Sequence, residues 1–214
     1  MPATEILIAF SIAALVMNIS PGPSNLYVMA RAIAQGTKGG VVAAMGLAVG
    51  SMVHVVATVL GLSAIFSHSP ALYTAVKLVG AAYLIYLGVQ HWNASSIGGG
   101  EFAKQTKRKP LFTVFRESIV VEVTNPKTAL FFIALLPQFV VPESGPVSQQ
   151  LLILGIIVTA SAIPCDVLIA ISSSKVSNWL IRNERAQLIQ ERIAGSILFG
   201  MGAFIVADEL HSSR

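Results

Sequence analysis

Among the ionisable side chains inside the apolar stretches of the chain, four are the best placed for chemistry. They are His54, Glu122, Lys127 and Asp166. An ionisable group in a membrane interior costs about 3 kcal/mol by insertion scales, so each one needs a partner or a function. Burial disfavours the ionised form of a carboxylate, which would let Glu122 or Asp166 load and release a proton. His54, Glu122 and Asp166 are therefore candidates for proton coupling.

Each of these side chains also has a structural interpretation. The two carboxylates could belong to ion pairs or reach the membrane interface, and Lys127 could extend its ammonium to water. His54 shares a helical face with the glycines of GLAVG, and a histidine on such a close-packed face more often bridges two helices than relays protons. The residue types alone leave both interpretations open.

A stretch rich in proline, SPGPSNLYVMAR at residues 20–31, ends the first apolar run. Pro21 and Pro23 remove helix hydrogen bonds, and backbone freed at membrane depth must be buried in protein or line a wet cavity. A helix that restarts after Pro23 offers free amides to a carboxylate, with Ser24 and Asn25 beside them. An ammonium would need a carboxylate and freed carbonyls. The stretch predicts a site for a zwitterion, although the prolines could also merely kink the helix.

The composition determines which elements must position these residues. Hydrophobic residues make up 54% of the 214 residues and charged residues 11%, with a mean hydropathy of +0.74. Soluble domains carry about 25% charged residues, so the chain is predicted to be an integral membrane protein. About 20 apolar residues cross roughly 30 Å of hydrocarbon as a helix. Six such runs are predicted, at residues 6–30, 41–66, 72–92, 118–141, 150–174 and 193–210.

The distribution of charge predicts the orientation of the chain. Most lysines and arginines follow the first, third and fifth runs, whereas the loops after the second and fourth runs carry none. Short cytoplasmic loops retain cationic residues, so both termini are expected outside. This placement also accounts for the net charge of +4 without nucleic acid. The N-terminal MPATE lacks a cationic region typical of a signal peptide, so we expect the first run to be retained.

The two halves of the chain resemble each other. Aligning Gly80 with Gly195 matches VKLVGAAYLIYLG with ERIAGSILFGMGA, and SPGPSNLYV corresponds to TNPKTALFF. Three runs in each half give the halves opposite orientations in the membrane, the inverted-repeat plan of many secondary transporters. Chance matching of apolar segments is the alternative. The prediction is an all-α membrane protein in which residues 1–92 form one three-helix repeat, 93–116 a cytoplasmic linker and 117–214 the second repeat, with the first and fourth helices broken.

The motifs PGPSNLYVMAR, GTKGGVVAAMGLAVGSMVH, GAAYLIYLG and TNPKTALFFIALLPQFV extend over nearly the whole chain. In these motifs the chain resembles the LysE/RhtB family of bacterial amino-acid exporters. The resemblance implies a six-span inner-membrane protein that exports amino acids or their derivatives by exchange with protons. By position it carries over the signature residues Pro21, Gly22, Pro23, Asn125, Pro126 and Lys127. With Ser24 and Asn25, these form the predicted substrate-binding set.

Three departures from the family pattern lie near those residues. Ser51 stands where the family often has aspartate, Ser24 where many members have a second asparagine, and Glu122 where many have an uncharged asparagine. The departures leave the identity of the amino acid open.

Other functions remain as alternatives. Related proteins export metal cations, but Cys165 is the single cysteine and the apolar runs offer few metal ligands, so no metal or cofactor is expected. A membrane enzyme would need a nucleophile with a positioned base or a motif such as HExxH, which is absent from the sequence. A passive channel would be expected to form rings of polar residues in an oligomer. The expected partners are the solute, protons and the lipid bilayer, and an assembly of several copies is compatible with the sequence.

Overall fold

The computed structural model describes residues 3–20, 22–68, 70–93, 107–172 and 183–212. Its α-helices are α1 (Thr4–Ile19), α2 (Pro23–Gln35), α3 (Thr37–His68), α4 (Pro70–Trp92), α5 (Leu111–Val123), α6 (Pro126–Leu135), α7 (Val147–Ser172) and α8 (Glu184–Ser212). Two short 3-10 helices, Leu136–Phe139 and Pro142–Ser144, connect α6 to α7. These ranges contain no β-strand, which confirms the predicted all-α class.

Two helices are long and apolar enough to cross a membrane on their own, over Thr37–Phe66 in α3 and Val147–Ser172 in α7. The pairs α1–α2 and α5–α6 meet the same requirement when each pair counts as one span. The described residues therefore provide two to four such spans. Helices α4 and α8 occupy the positions of the predicted third and sixth spans, and the count of six remains a prediction.

Prolines determine where the second helix of each bent pair begins. Helix α2 starts at Pro23 and is bent by 52° from α1, while α6 starts at Pro126 and is bent by 47° from α5. At the first position of a helix the missing N–H of proline costs nothing, and its fixed φ angle already suits the helix. The breaks predicted in the first and fourth apolar runs are therefore present. Pro21 lies outside the described residues.

The helices pair across the two halves of the chain. Helix α3 packs against α7, and α4 packs against α8; α3 also packs against α5, as α7 does against α1. Helices α3 and α5 approach closely at Gly50, where an added Cβ would lie only 2.6 Å from Cβ of Glu122. The prediction that the GLAVG glycines pack tightly against a neighbouring helix is thus confirmed.

Two clusters of buried apolar side chains lie at different heights along these helices. The larger cluster contains residues before the break on α1, such as Phe10 and Ala13, together with Val55 of α3 and Leu151 of α7. The smaller cluster contains Val28, Ala32, Ala43, Leu47, Val114 and Ala170. On α3 and α7 the two clusters are separated by a short stretch, and the helix breaks lie at the same level. Polar side chains collect in this gap.

The outer faces of the long helices remain apolar. Leu60 on α3 is 69% exposed and Leu168 on α7 is 63% exposed, as expected for side chains that contact lipid tails. Helix α5 begins at Leu111, inside the segment 93–116 that was predicted as a linker; residues 94–106 lie outside the described part. One residue, Gly36, separates α2 from α3, and its φ angle of 75° lies in the left-handed region that favours glycine.

Candidate functional site

A small polar cavity lies where the break between α1 and α2 meets the break between α5 and α6. Its volume is about 40 Å³, enough for a few water molecules but not for an amino acid. The residues that line it are Met17, Asn18, Ser24, Asn25, Leu47, Ala48, Ser51, Glu122, Asn125, Lys127, Thr128, Val158, Ala162 and Asp166. We refer to it as the central cavity.

Lys127 closes the open end of α1. The carbonyl oxygens in the last turn of a helix have no partner within that helix. The Nζ of Lys127 donates to two of these oxygens, at 2.9 Å to Met17 and 2.5 Å to Ser20. Gly22 makes this approach possible, since a Cβ added there would lie 3.1 Å from Cδ of Lys127. The freed carbonyls that were predicted to receive the ammonium of a solute therefore receive the ammonium of Lys127.

Ser24, Glu122 and Asn125 connect the two breaks directly. The Ser24 hydroxyl donates a short hydrogen bond to Oε2 of Glu122 and accepts one from Nδ2 of Asn125 at 2.7 Å. Asn125 is also the N-cap of α6, because its side-chain oxygen accepts from the amide of Lys127 at 3.0 Å. Glu122 and Asn125 are both buried. The two half-helices are thus fixed to each other through side chains on the cavity wall.

Asn18 is a cavity residue that was absent from the predicted set. Its Nδ2 donates to the Val158 carbonyl at 3.3 Å and to the Ser161 hydroxyl at 2.9 Å, both on α7. Its own carbonyl accepts from Nδ2 of Asn25 at 2.9 Å. An asparagine within an apolar run, one turn before the prolines, is the sequence signal that could have identified it.

Asp166 differs from the other polar residues of the cavity. It is only 8% exposed, yet its carboxylate receives no hydrogen bond from any residue in the described ranges. Its charge interacts with those of Glu122 and Lys127 across the cavity. Nearby, Ser51 and Thr159 hydrogen-bond each other at 2.9 Å and so satisfy one another. Asp166 is therefore the cavity carboxylate with unused hydrogen-bonding capacity.

His54 lies beside the cavity rather than in its wall. Its Nε2 is 2.9 Å from the carbonyl oxygen of Glu122, and its ring stacks on Phe132 with the centroids 5.7 Å apart. The contact joins α3 to the last turn of α5. This geometry matches the helix-bridging interpretation, and a part in proton transfer remains a prediction.

The predicted substrate-binding residues divide into two groups. Ser24, Asn25, Asn125 and Lys127 line the cavity, whereas Gly22, Pro23 and Pro126 lie outside its wall and shape the breaks. The predicted carboxylates Glu122 and Asp166 both line the cavity as well. The structure thus gathers residues from distant parts of the chain around one space, and their part in binding a solute stays a prediction.

The first turn of α2 has backbone amides without a partner in the helix. The amides of Ser24 and Asn25 lie in this turn, where the helix provides no carbonyl to accept their hydrogen bonds. The amide of Leu26 is the first to bond within this turn, to the Gly22 carbonyl at 3.0 Å. Such an N-terminus attracts a carboxylate, and Asp166 across the cavity attracts an ammonium. The first turn of α2 and the Asp166 carboxylate thus border the same cavity.

Metal binding finds no support among the described residues, where no group of three His, Cys, Asp or Glu side chains is close enough to hold an ion. Cys165 is partly buried and is a free thiol.

Broken helices around a polar cavity, in an apolar all-helical chain, define a membrane protein of the transporter type. The chain belongs to the LysE family, since the family of LysE type translocators matches residues 15–209. Members of this family are transporters and not enzymes.

Several relatives have similar sequences over most of their length. The membrane protein YrhP of Bacillus subtilis is 33% identical over 203 residues, which cover 92% of this chain and 96% of the relative. The homoserine/homoserine lactone efflux protein of Salmonella typhimurium is 30% identical, over 93% and 95% of the two chains. The leucine efflux protein of Salmonella choleraesuis is 30% identical over 64% of this chain and 65% of its own. No solved structure matches the chain.

Proposed function

We propose that the protein exports amino acids or amino-acid derivatives across the bacterial inner membrane in exchange for protons. The names of two relatives, which describe efflux of homoserine, homoserine lactone and leucine, support this substrate class. The observation that carries the proposal is the position of Asp166, a buried carboxylate without a hydrogen-bond donor among the described residues, in a cavity formed by two helix breaks.

The charges of the central cavity explain how a solute and a proton would compete. Glu122 and Asp166 supply two carboxylates and Lys127 supplies one ammonium. With all three ionised the cavity carries one net negative charge, which is costly in a low-dielectric interior. Either a proton or the ammonium of the solute neutralises it. Because the two occupants exclude each other at Asp166, movement of one in one direction drives the other in the opposite direction.

The other end of the solute has its own partners. Its carboxylate would approach the amides at the N-terminus of α2, with Asn25 and Asn125 beside them. Lys127 holds the carbonyls of Met17 and Ser20 and so keeps α1 from competing for the solute ammonium. In this proposal Ser24 and Glu122 maintain the shape of the site, and Asp166 binds the reacting proton.

The small cavity supports a cycle of alternating access. A volume of about 40 Å³ holds no amino acid, so the site must widen to load or release its solute. We propose that residues 1–92 and 117–214 form two inverted repeats of three spans that rock about the breaks. The reciprocal packing of α3 on α5 and of α7 on α1 supports this symmetry.

The test is efflux of a panel of labelled amino acids from proteoliposomes, with a proton gradient present and then collapsed. We expect efflux of at least one neutral amino acid that slows when the gradient is collapsed. Efflux that ignores the gradient would contradict antiport, and the absence of efflux for every amino acid would contradict the substrate class.

A further inference from the structure

A second polar region joins α2 to α5, near the ends of these two helices that lie away from the breaks. The side chain of Arg31 on α2 is 5% exposed, and its Nη2 lies 2.9 Å from Oε2 of Glu117 on α5. The hydroxyl of Tyr27 donates to the same oxygen at 3.0 Å, and Nζ of Lys109 lies 2.5 Å from Oε1. The guanidinium also lies over the Tyr27 ring, 5.0 Å from its centroid. We call Tyr27, Arg31, Lys109 and Glu117 the charge cluster.

Backbone contacts extend this connection to the segment before α5. Nη1 of Arg31 donates to the Lys107 carbonyl at 3.1 Å, and Nε of Arg108 donates to the Ala34 carbonyl at 3.2 Å. The Gln35 amide forms a reciprocal pair with the backbone of Lys109, donating at 2.8 Å and accepting at 3.1 Å. The end of α2 is therefore fastened to the last residues before α5, within the segment 93–116 predicted as the linker.

The charge cluster lies on the route between the central cavity and one membrane surface. Arg31 follows Ser24 by seven residues and Glu117 precedes Glu122 by five, which place the cluster about 10 Å along α2 and about 7.5 Å along α5 from the cavity. Residues seven apart share a helix face, so the face of α2 that meets the cavity also meets the cluster. A solute passing between α2 and α5 would have to separate Arg31 from Glu117.

The apolar side chains at this end are small. The smaller apolar cluster, which contains three alanines, lies at the level of the charge cluster, whereas the larger apolar cluster at the opposite end includes Phe10 with Phe139 packed against it, their ring centroids 5.0 Å apart. Lys109 and Glu117 remain 41% and 35% exposed. When Arg31 and Glu117 separate, water can hydrate the carboxylate, and the guanidinium keeps the Lys107 carbonyl and the Tyr27 ring as partners, which suits a closure that opens repeatedly.

Space for an approaching solute exists on the outer side of the cluster. Tyr27 and Glu117 also line a groove of about 430 Å³, together with Thr113, Arg116 and two valines of α5. This volume is about ten times that of the central cavity. Tyr27 and Glu117 therefore belong both to the charge cluster and to the wall of this groove.

We propose that the charge cluster is the gate on the side of the membrane that carries residues 107–109, which the charge distribution predicts to be cytoplasmic. The gate opens when Arg31 and Glu117 separate and admits the solute between α2 and α5. It closes again before the opposite end opens. This assignment rests on the proposed function, and it makes Arg31 and Glu117 positioning residues of the cycle rather than contacts of the bound solute.

Reversible cross-linking tests the gate. The double variant Gln35→Cys with Lys109→Cys places two thiols across the closure, and a short bifunctional methanethiosulfonate joins them. We expect cross-linking to lower efflux at least about tenfold and reducing agent to restore it. The two single variants and the unchanged protein, treated identically, control for modification of one thiol and of Cys165. Full efflux from protein shown by mass spectrometry to be cross-linked would overturn the gate.

A second measurement needs no transport and so separates the gate from the proposed function. A reporter thiol, Ala48→Cys in a Cys165→Ser background, lines the central cavity. We expect Glu117→Gln to speed its labelling by a membrane-impermeant maleimide about tenfold, in inside-out vesicles only. The matched control Glu143→Gln removes an exposed carboxylate elsewhere and should leave the rate unchanged. Equal rates for both variants would overturn the gate even where efflux is normal, whereas failure of efflux alone would contradict only the proposed function.

Discussion

The central cavity and the charge cluster both contain residues of α2 and α5 and have similar residue types, but their carboxylates differ in the hydrogen bonds that they receive. Glu117 in the cluster receives hydrogen bonds from Arg31, Tyr27 and Lys109. Asp166 in the cavity receives none from the described residues, although it is the more deeply buried of the two. A saturated carboxylate holds two helices together, while an unsaturated one is available to a proton or a solute.

The difference also concerns water. Glu117 is 35% exposed, so water can hydrate it when it separates from Arg31, while the buried guanidinium keeps the Lys107 carbonyl as a partner. The Asp166 carboxylate is buried, so the stability of its negative charge depends on the proton or cation that enters the cavity. The cavity is therefore suited to determining what is exchanged, and the cluster to determining when the site opens.

The strongest test of this comparison removes the unsaturated carboxylate. We expect Asp166→Asn to reduce proton-driven efflux by more than about tenfold, because Glu122 and Lys127 then balance each other and nothing recruits a proton. Efflux from proteoliposomes with an imposed proton gradient measures the effect. Glu143→Gln, at an exposed position, is the matched control. Unchanged gradient-driven efflux would remove Asp166 from the mechanism.

Removing the ammonium of the cavity should affect the fold more than the cluster variants do. We expect Lys127→Met to lower the free energy of unfolding by about 3 kcal/mol, because the carbonyls of Met17 and Ser20 lose their hydrogen-bond donor in a buried place. For a chain of this size the melting temperature in detergent should fall by about 6 °C or more. A melting temperature equal to that of the unchanged protein would show that the contacts to Met17 and Ser20 contribute nothing.

A smaller effect is expected at the glycine beside Lys127. In Gly22→Ala the new Cβ would stand 3.1 Å from Cδ and 3.4 Å from Nζ of Lys127, which should cost about 1 kcal/mol and displace the ammonium. The φ angle of −168° is extended and open to alanine, so strain of the backbone is not the cause. Gly61→Ala is the control, since nothing lies within 4 Å of its Cβ; it should be neutral or slightly stabilising. Equal melting temperatures for both variants would contradict the close contact.

The cluster should show the smallest losses of stability. We expect Glu117→Gln to cost about 1 kcal/mol, because the amide keeps neutral hydrogen bonds but not the ion pairs, and Lys109→Gln about half of that. Melting temperatures at low and high salt measure both, and salt should shrink the difference. A loss at Glu117 as large as that at Lys127 would mean that the cluster is a structural anchor, against the comparison drawn above.

The sequence predicted the breaks and the cavity carboxylates for local reasons. Proline restricts its own backbone and removes its own N–H, so Pro23 and Pro126 marked the helix starts without knowledge of the fold. Glu122, Lys127 and Asp166 stood out because ionisable groups are costly in apolar runs. Such signals need no information about neighbouring helices.

The contacts that depend on packing were beyond the sequence. The choice of the Met17 and Ser20 carbonyls by Lys127 follows from two bends that bring residues more than 100 positions apart together. The pairing of Arg31 with Glu117 also joins distant parts of the chain. From the sequence, Arg31 is only one of the cationic residues that orient the chain. Asn18 was missed because its partners belong to α7.

Gly36, the one residue between α2 and α3, leaves no slack at the corner that it forms. A tilt of α2 is therefore transmitted directly to α3. The 32 residues of α3 extend about 48 Å along the helix axis. A few degrees of rotation at this corner become a displacement of several ångströms at the remote end. Coupled motion of this kind would keep the two ends of the pathway from being open at the same time.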